Sequence, residues 1–320
     1  MKKLALALAT LALATGTASA QDWPTKTVRI IAPFGPGSTP DVVARLLADH
    51  MQRKLGQTFI VENKVGAGGV IGTDTVAKAA PDGSTIGISI GGPLAINTLL
   101  MSKLPYNPAK DIAAVTQLIT QPSALAVNID LKVNTIAELI ALLKKNPGKY
   151  RYATAGNGSP PHLAAELFKL KSGVDLLHVP YKGTGAAVPD VVSGQVQFMI
   201  DGPPPFLGHV KAGRLRALAA ANDKRLEQMP DVPTFAEQGY HGMEAGLWYA
   251  MLAPKGTPQP VIKRLNAAIN EVLKQPDVRQ RFAASSVETI GGTPQECGNY
   301  IQAEIKRWGE VARAANIRIE

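Results

Sequence analysis

Val28-Arg29-Ile30-Ile31-Ala32-Pro33-Phe34-Gly35-Pro36-Gly37-Ser38-Thr39-Pro40-Asp41 is the stretch that decides the fold. A β-branched run predicts a strand, a Gly/Pro loop ends it, and Pro40 falls where a first helical turn tolerates a residue without an N–H. Val42, Val43, Leu46, Leu47 and Met51 then recur at helical spacing, predicting a helix over 39–55. The order returns at Tyr152-Ala153-Thr154, then Ala155-Gly156-Asn157-Gly158, then Ser159-Pro160-Pro161. In both copies a hydroxyl residue, Thr39 or Ser159, takes the N-cap position before a proline. Strand, glycine loop and capped helix together form the unit of an α/β protein whose parallel strands are covered by helices.

Outward from these units, strands are predicted at 58–61, 85–90, 176–179, 196–200 and 215–218, and a helix at 69–80, stopped by Pro81-Asp82-Gly83. The tail is helical at 260–273 and 294–315. Ala114 to Asn128 predicts two extended segments interrupted at Gln121-Pro122, and Gly246 to Ala253 a second long extended run. Both are candidate crossings between two lobes, since about three hundred residues exceed one typical core. Two crossings make the first lobe discontinuous: 21–120 plus 246–320, with 121–245 as the second.

Lys2 and Lys3, the apolar run from Leu4 to Ala14 and the small residues Ala18-Ser19-Ala20 have the layout of a cleaved secretory leader over 1–20. No cysteine stands at that site to take a lipid. Without Lys2 and Lys3 the chain has 32 basic and 25 acidic residues, a net +7, dispersed along its length. Dispersed charge with few aromatic residues argues against nucleic acid and is compatible with mild attraction of anions. Cys297 is the single cysteine, so neither a disulfide nor a thiolate metal site is expected, and no cofactor is predicted.

Both helix starts are candidate anion sites, because a first turn presents unpaired N–H groups and flanking glycines admit a ligand closely. The N–H groups of Gly35, Gly37, Gly156 and Gly158 are the expected donors. Tyr181, Lys182 and Thr184 follow a further strand end, where ligands of open α/β sheets lie. Asp201 is similarly placed, although an ionised aspartate repels a carboxylate unless it holds a loop donor or meets an ammonium. His162 either contacts ligand or braces its own turn. Gly87-Ile88-Ser89-Ile90-Gly91 matches the nucleophile elbow of serine hydrolases, but Ser89 falls inside a predicted strand rather than on a turn. Gly66-Ala67-Gly68-Gly69 starts like a dinucleotide fingerprint and fails on spacing, with Ile71 before Gly72.

Ala32-Pro33-Phe34 with Gly37 and Asp41, Val61-Glu62-Asn63 with Gly66-Ala67-Gly68-Gly69, Pro81-Asp82-Gly83, Leu104-Pro105-Tyr106, Gly156 with Gly158-Ser159 and His162-Leu163-Ala164, His178-Val179-Pro180-Tyr181-Lys182-Gly183, Pro230-Asp231-Val232-Pro233-Thr234 and Ala253-Pro254-Lys255-Gly256-Thr257-Pro258 occur in one order. Together they resemble the solute-binding proteins of tripartite tricarboxylate transporters, the Bug-type receptors. The resemblance implies a type II periplasmic binding protein fold, each lobe a mostly parallel sheet flanked by helices, with two crossing strands. It also implies a small carboxylate held on Phe34, Gly35, Pro36, Gly37, Ser38 and Thr39, near Asp41, and on Ala155, Gly156, Asn157, Gly158 and Ser159. The implied partners are the large and small subunits of a membrane permease, with the receptor a monomer and not an enzyme. Ser38 stands where the family usually has a second glycine, and its side chain is expected to narrow or re-polarise the first loop. A secreted hydrolase built on Ser89 with His209 or His241, and a receptor presenting its ligand to a sensor kinase, are the competing functions. The exported protein is expected to begin at Gln21; intact-mass spectrometry of secreted material that retained residues 1–20 overturns this.

Overall fold

A computed structural model describes residues 23–101, 103–181, 184–283 and 286–315. The expected leader, 1–20, and Lys182 lie outside the described residues. The strands are β1 (Val28–Ala32), β2 (Phe59–Asn63), β3 (Thr85–Ile90), β4 (Ile112–Asn128), β5 (Arg151–Thr154), β6 (Leu177–Pro180), β7 (Phe198–Asp201), β8 (Leu215–Ala221), β9 (Gly246–Pro254) and β10 (Glu288–Gly291). They form one curled sheet in the order β2-β1-β3-β9-β4-β7-β5-β6, with β8 and β10 also pairing to β4. Pairings β1–β2, β1–β3, β5–β6 and β5–β7 are parallel. Among the described residues every antiparallel pairing involves β4 or β9.

The predicted break at Gln121-Pro122 is absent, and β4 runs through it as one strand. Its partners change there instead. Up to Pro122, β4 pairs with β9 and β10; from Ser123 onward it pairs with β8 and β7. Proline has no N–H to give a ladder, so it fits where one set of partners hands over to the next. Opposite it, a β-carbon on Gly246 would lie 2.6 Å from the Gln121 carbonyl oxygen, so only glycine lets the two long strands approach this closely.

Local chemistry fixes the helices that flank the sheet. Thr39–Leu55 has Pro40 in its first turn, Arg53 and Lys54 in its last, and ends at Gly56 in the left-handed conformation, φ 69°. Val43, Ala44, Leu47, Ala48 and Met51 form its buried stripe and pack with β1, β3 and the helix Gln259–Lys274. All six residues of β3 are buried, as expected for a strand covered on both faces. The helix predicted at 69–80 is shorter, Val70–Ala77: it starts after a turn in which Gly66, Ala67, Gly68 and Gly69 all have positive φ (138°, 47°, 61° and 97°), and it ends at Lys78, ahead of Pro81. The helix Pro276–Ala283 and β10 are short elements that the periodicity does not reveal.

The last helix, Pro294–Ala314, spans two packing units. Cys297 and Ile301 pack with β9 residues, whereas Trp308, Val311 and Ala312 join the core around Leu125, Tyr152, Leu163 and Phe198. The Glu304 carboxylate accepts from the indole N–H groups of Trp248, at 2.9 Å, and Trp308, at 2.8 Å, tying β9 to this helix. Cys297 is buried, and burial pushes its thiol up to about 12. Trp308→Ala is expected to cost about 3–5 kcal/mol in urea unfolding; an unchanged midpoint means this helix does not couple the two units.

Candidate functional site

The two glycine loops have one geometry. Ser38 and Ser159 have φ/ψ of −68°/157° and −69°/157°. Each hydroxyl donates to the carbonyl of the glycine three residues earlier, Gly35 or Gly156, at 2.7 Å. Each serine N–H donates to the same carbonyl, at 3.2 and 3.3 Å. Between them, Gly37 (φ 82°) and Gly158 (φ 68°) take a conformation that a β-carbon disfavours. Their N–H groups turn inward to the side chain four residues on: Gly37 donates to Asp41 Oδ2 at 2.9 Å and Gly158 to His162 Nδ1 at 3.0 Å.

The two braces differ chemically. Asp41, 2% exposed, also accepts from Asn63 Nδ2 at 2.9 Å and pairs with Arg45 at 2.9 Å. Burial alone raises its pKa, but Arg45, Gly37 and Asn63 outweigh burial and hold the carboxyl below its ordinary value. His162, 7% exposed, stacks on His178 with ring centroids 4.0 Å apart, and His178 stacks on Tyr152 at 4.9 Å. Burial lowers both imidazoles, His178 to about 4 with His162 adding to the shift, so both are neutral at neutral pH. A neutral His162 offers Nδ1 as the acceptor Gly158 needs. Thr154 Oγ1 meets His178 Nε2 at 2.6 Å, and the Tyr152 hydroxyl bonds Glu166, which Lys169 neutralises at 2.9 Å.

These bonds correct the expected donor set. The N–H groups of Gly37 and Gly158 are engaged inside their loops, and that of Gly156 donates to Thr154 Oγ1 at 3.2 Å. The second helix start offers no free donor: Pro160 and Pro161 lack N–H groups, His162 N–H reaches Ser159 Oγ at 3.4 Å and Leu163 N–H bonds the Ser159 carbonyl at 3.1 Å. In the first helix the N-cap is Ser38, not Thr39. Pro40 lacks an N–H and Val42 bonds Ser38, leaving the N–H groups of Thr39 and Asp41 without a partner among the described residues. Ser38 does not narrow the loop either, because its hydroxyl is folded back onto Gly35.

The loops open on a cleft of two chambers. The larger, about 730 Å³, is lined by Phe34, Ala67, Gly68, Ile90, Asn97 and Met101 on one side, and on the other by 155–161. The smaller, about 370 Å³, is lined by Gly37, Thr39, Val42, Gln121, Gly202 and Tyr249, among others. Thr184, Asp201 and Leu247 line both. Asp201 is 3% exposed; Thr184 Oγ1 donates to its Oδ2 at 2.5 Å and Gly202 N–H to its Oδ1 at 2.7 Å. Burial pushes its carboxyl up to about 6, against the opposing pull of these two donors.

Of the predicted residues, the cleft thus gathers Phe34, Gly37, Thr39, Ala155, Gly156, Asn157, Gly158, Ser159, Thr184 and Asp201. Asp41 and His162 stand behind the loops as braces. The Tyr181 hydroxyl donates to Asp190 at 2.5 Å, and neither Tyr181 nor Gly35, Pro36 or Ser38 lines a chamber. Sequence reasoning missed Ala67 and Gly68 as site residues, their glycine run being weighed as a phosphate fingerprint and as a family motif, and Leu247 and Tyr249, read as a crossing strand. Ser89 is buried within β3 with its hydroxyl 2.6 Å from Thr73 Oγ1, so it is not presented on a turn.

The sequence profile of the tripartite tricarboxylate transporter family receptor matches residues 43–317. Protein BugT of Bordetella pertussis is 41% identical over 303 residues, spanning 94% of this chain and 93% of the relative. Among solved structures, R. palustris Rpa4515 with adipate is 35% identical with a TM-score of 0.82, covering 93% of this chain and 99% of that one. MatC (Rpa3494) from Rhodopseudomonas palustris with bound malate is 34% identical with a TM-score of 0.77, covering 90% and 99%. With its two-lobed α/β fold and paired serine loops, the chain belongs to the tripartite tricarboxylate transporter receptor family, whose members are periplasmic solute-binding proteins.

Proposed function

We propose that this protein is an exported, monomeric receptor, cleaved after Ala20, that closes two lobes on a small carboxylate and hands it to a two-subunit membrane permease. The observation that carries the proposal is a cleft in which Phe34 and the turn at Ala67 and Gly68 face 155–161 across about 730 Å³, room for a small organic acid. The change of partners along β4 at Pro122 and Ser123 supports lobes of 21–120 plus 246–320 and 121–245, with β4 and β9 as the hinge. Relatives solved with adipate and with malate support the ligand class. Among the described residues no helix is long and apolar enough to cross a membrane, in keeping with a receptor that needs a separate permease.

The carboxylate is held by neutral donors: the free N–H groups at the start of the helix Thr39–Leu55, its positive dipole end, the Thr39 hydroxyl and the Asn157 amide, the Thr184 hydroxyl being committed to Asp201. Each hydrogen bond to the charged group contributes roughly 1.5–3 kcal/mol. The buried position of Ser89 and its bond to Thr73 weigh against a hydrolase.

A thermal-shift screen over small mono- and dicarboxylates is expected to find an acid that, at 100 times its dissociation constant, adds about 2.7 kcal/mol of stability. With that acid bound, small-angle scattering is expected to give a smaller radius of gyration; stabilisation by no acid, or turnover of an ester instead, overturns the receptor function. Asp41→Ala leaves the Gly37 N–H without its acceptor and is expected to cost about 1–3 kcal/mol in urea unfolding and to weaken the ligand. Because the Asp41 pKa is lowered on folding, its contribution is present above the ordinary value of 3.8 and lost only as pH falls through the lowered one. Wild type and Asp41→Ala are therefore expected to differ equally at all pH values in the neutral range.

A further inference from the structure

The cleft proposed to hold an anion contains a buried carboxylate and, among the described residues lining either chamber, no lysine, arginine or histidine. Asp201 sits where the chambers meet, at the end of β7. Both of its hydrogen bonds are received, from the Thr184 hydroxyl and the Gly202 N–H, as an ionised carboxylate requires, and each oxygen retains a further lone pair. The groups facing it from the packed elements are neutral: Thr184 from the helix Thr184–Val192, Gln121 from β4 and the Tyr249 phenol from β9, which burial holds protonated, pushed up to about 12. A plain carboxylate brought beside Asp201, itself 3% exposed, meets repulsion that little solvent screens. An acid that carries its own donor meets an acceptor already oriented.

Resting on the receptor function above, we propose that Asp201 sets ligand class: it accepts a hydrogen bond from a hydroxyl or ammonium group on the bound acid, so that 2-hydroxy and 2-amino carboxylates are taken in preference to unsubstituted acids of the same length. A buried acceptor with no counter-charge discriminates strongly, because a ligand without the donor leaves it both desolvated and unpaired. Thr184 and Gly202 fix the carboxylate plane, so the acceptor is rigid before the ligand arrives.

The test is titration calorimetry with succinate, glutarate and adipate, each beside its 2-hydroxy and 2-amino derivative. Wild type at about pH 8 is expected to bind at least one derivative ten times or more as tightly as its parent. Asp201→Asn, which keeps the shape and removes the charge, is expected to bring that ratio close to one. Since the folded pKa of Asp201 is about 6, wild type at about pH 5 carries a protonated Asp201 and is expected to lose the preference without any substitution. That arm decides the matter if Asp201→Asn fails to fold. A ratio near one in wild type at the higher pH, or a ratio unchanged by both Asp201→Asn and acid, overturns the assignment while leaving the receptor function standing. Loss of the preference in Lys182→Ala but not in Asp201→Asn overturns it in favour of that lysine. If wild type binds none of the acids here or in the thermal-shift screen, the receptor function itself fails, and this inference with it.

Discussion

A serine hydroxyl bonded to the carbonyl of the glycine three residues before it fixes both edges of the cleft. In each loop that bond, 2.7 Å long, closes a turn that only a left-handed glycine can complete. The turn aims the following helix and directs the glycine N–H toward a side chain one helical turn ahead. Asp41 and His162 are therefore part of the loop geometry although neither lines the cleft. One brace is a buried carboxylate held ionised by Arg45 and Asn63. The other is an imidazole kept neutral by burial in an aromatic stack.

From this constraint follows the asymmetry of the donors. The bonds that make the second loop rigid, together with Pro160 and Pro161, leave its helix start with no N–H to offer. The first helix keeps those of Thr39 and Asp41, and the positive-φ turn at 66–69 brings Ala67 and Gly68 to the same chamber. The free backbone donors are thus divided unevenly between the two loops: those at the first helix start are left open, and the second loop lines the chamber with side chains and apolar groups. Neutral donors in a site sheltered from water act on a charged ligand more strongly than on a neutral one. The net charge of the chain adds only long-range attraction, which salt screens.

The sheet joins the two halves rather than merely supporting them. β4 serves both with a single run of backbone, changing partners where Pro122 interrupts one ladder. Across the cleft's back, the helix Pro294–Ala314 begins against β9 and ends in the second core. At this junction Gln121 of β4 and Leu247 and Tyr249 of β9 form part of the cleft wall.

The local chemistry of the chain determined the strands, the glycine loops, the capped helix starts and, through many short motifs in fixed order, the family. These depend on residues within a few positions of one another: a hydroxyl residue followed closely by a proline marks a helix start to within a residue, as at Ser38-Thr39-Pro40 and Ser159-Pro160. Tertiary structure alone decided that β4 is continuous and that Phe34, Gly68, Asn157, Asp201 and Leu247 share one cavity. The bond of Ser38 to Gly35 and the braces of Asp41 and His162 span only three or four residues, but residue type does not say that these groups turn toward their own loops. Whether a polar group faces a ligand or its own loop depends on which of two nearby partners satisfies it, and the neighbours that hold Asp41 and His162 in place, Asn63 from β2 and His178 from β6, arrive only when distant strands pair. The sequence could therefore name the loops, but only the packed sheet could say which of their hydrogen bonds remain free.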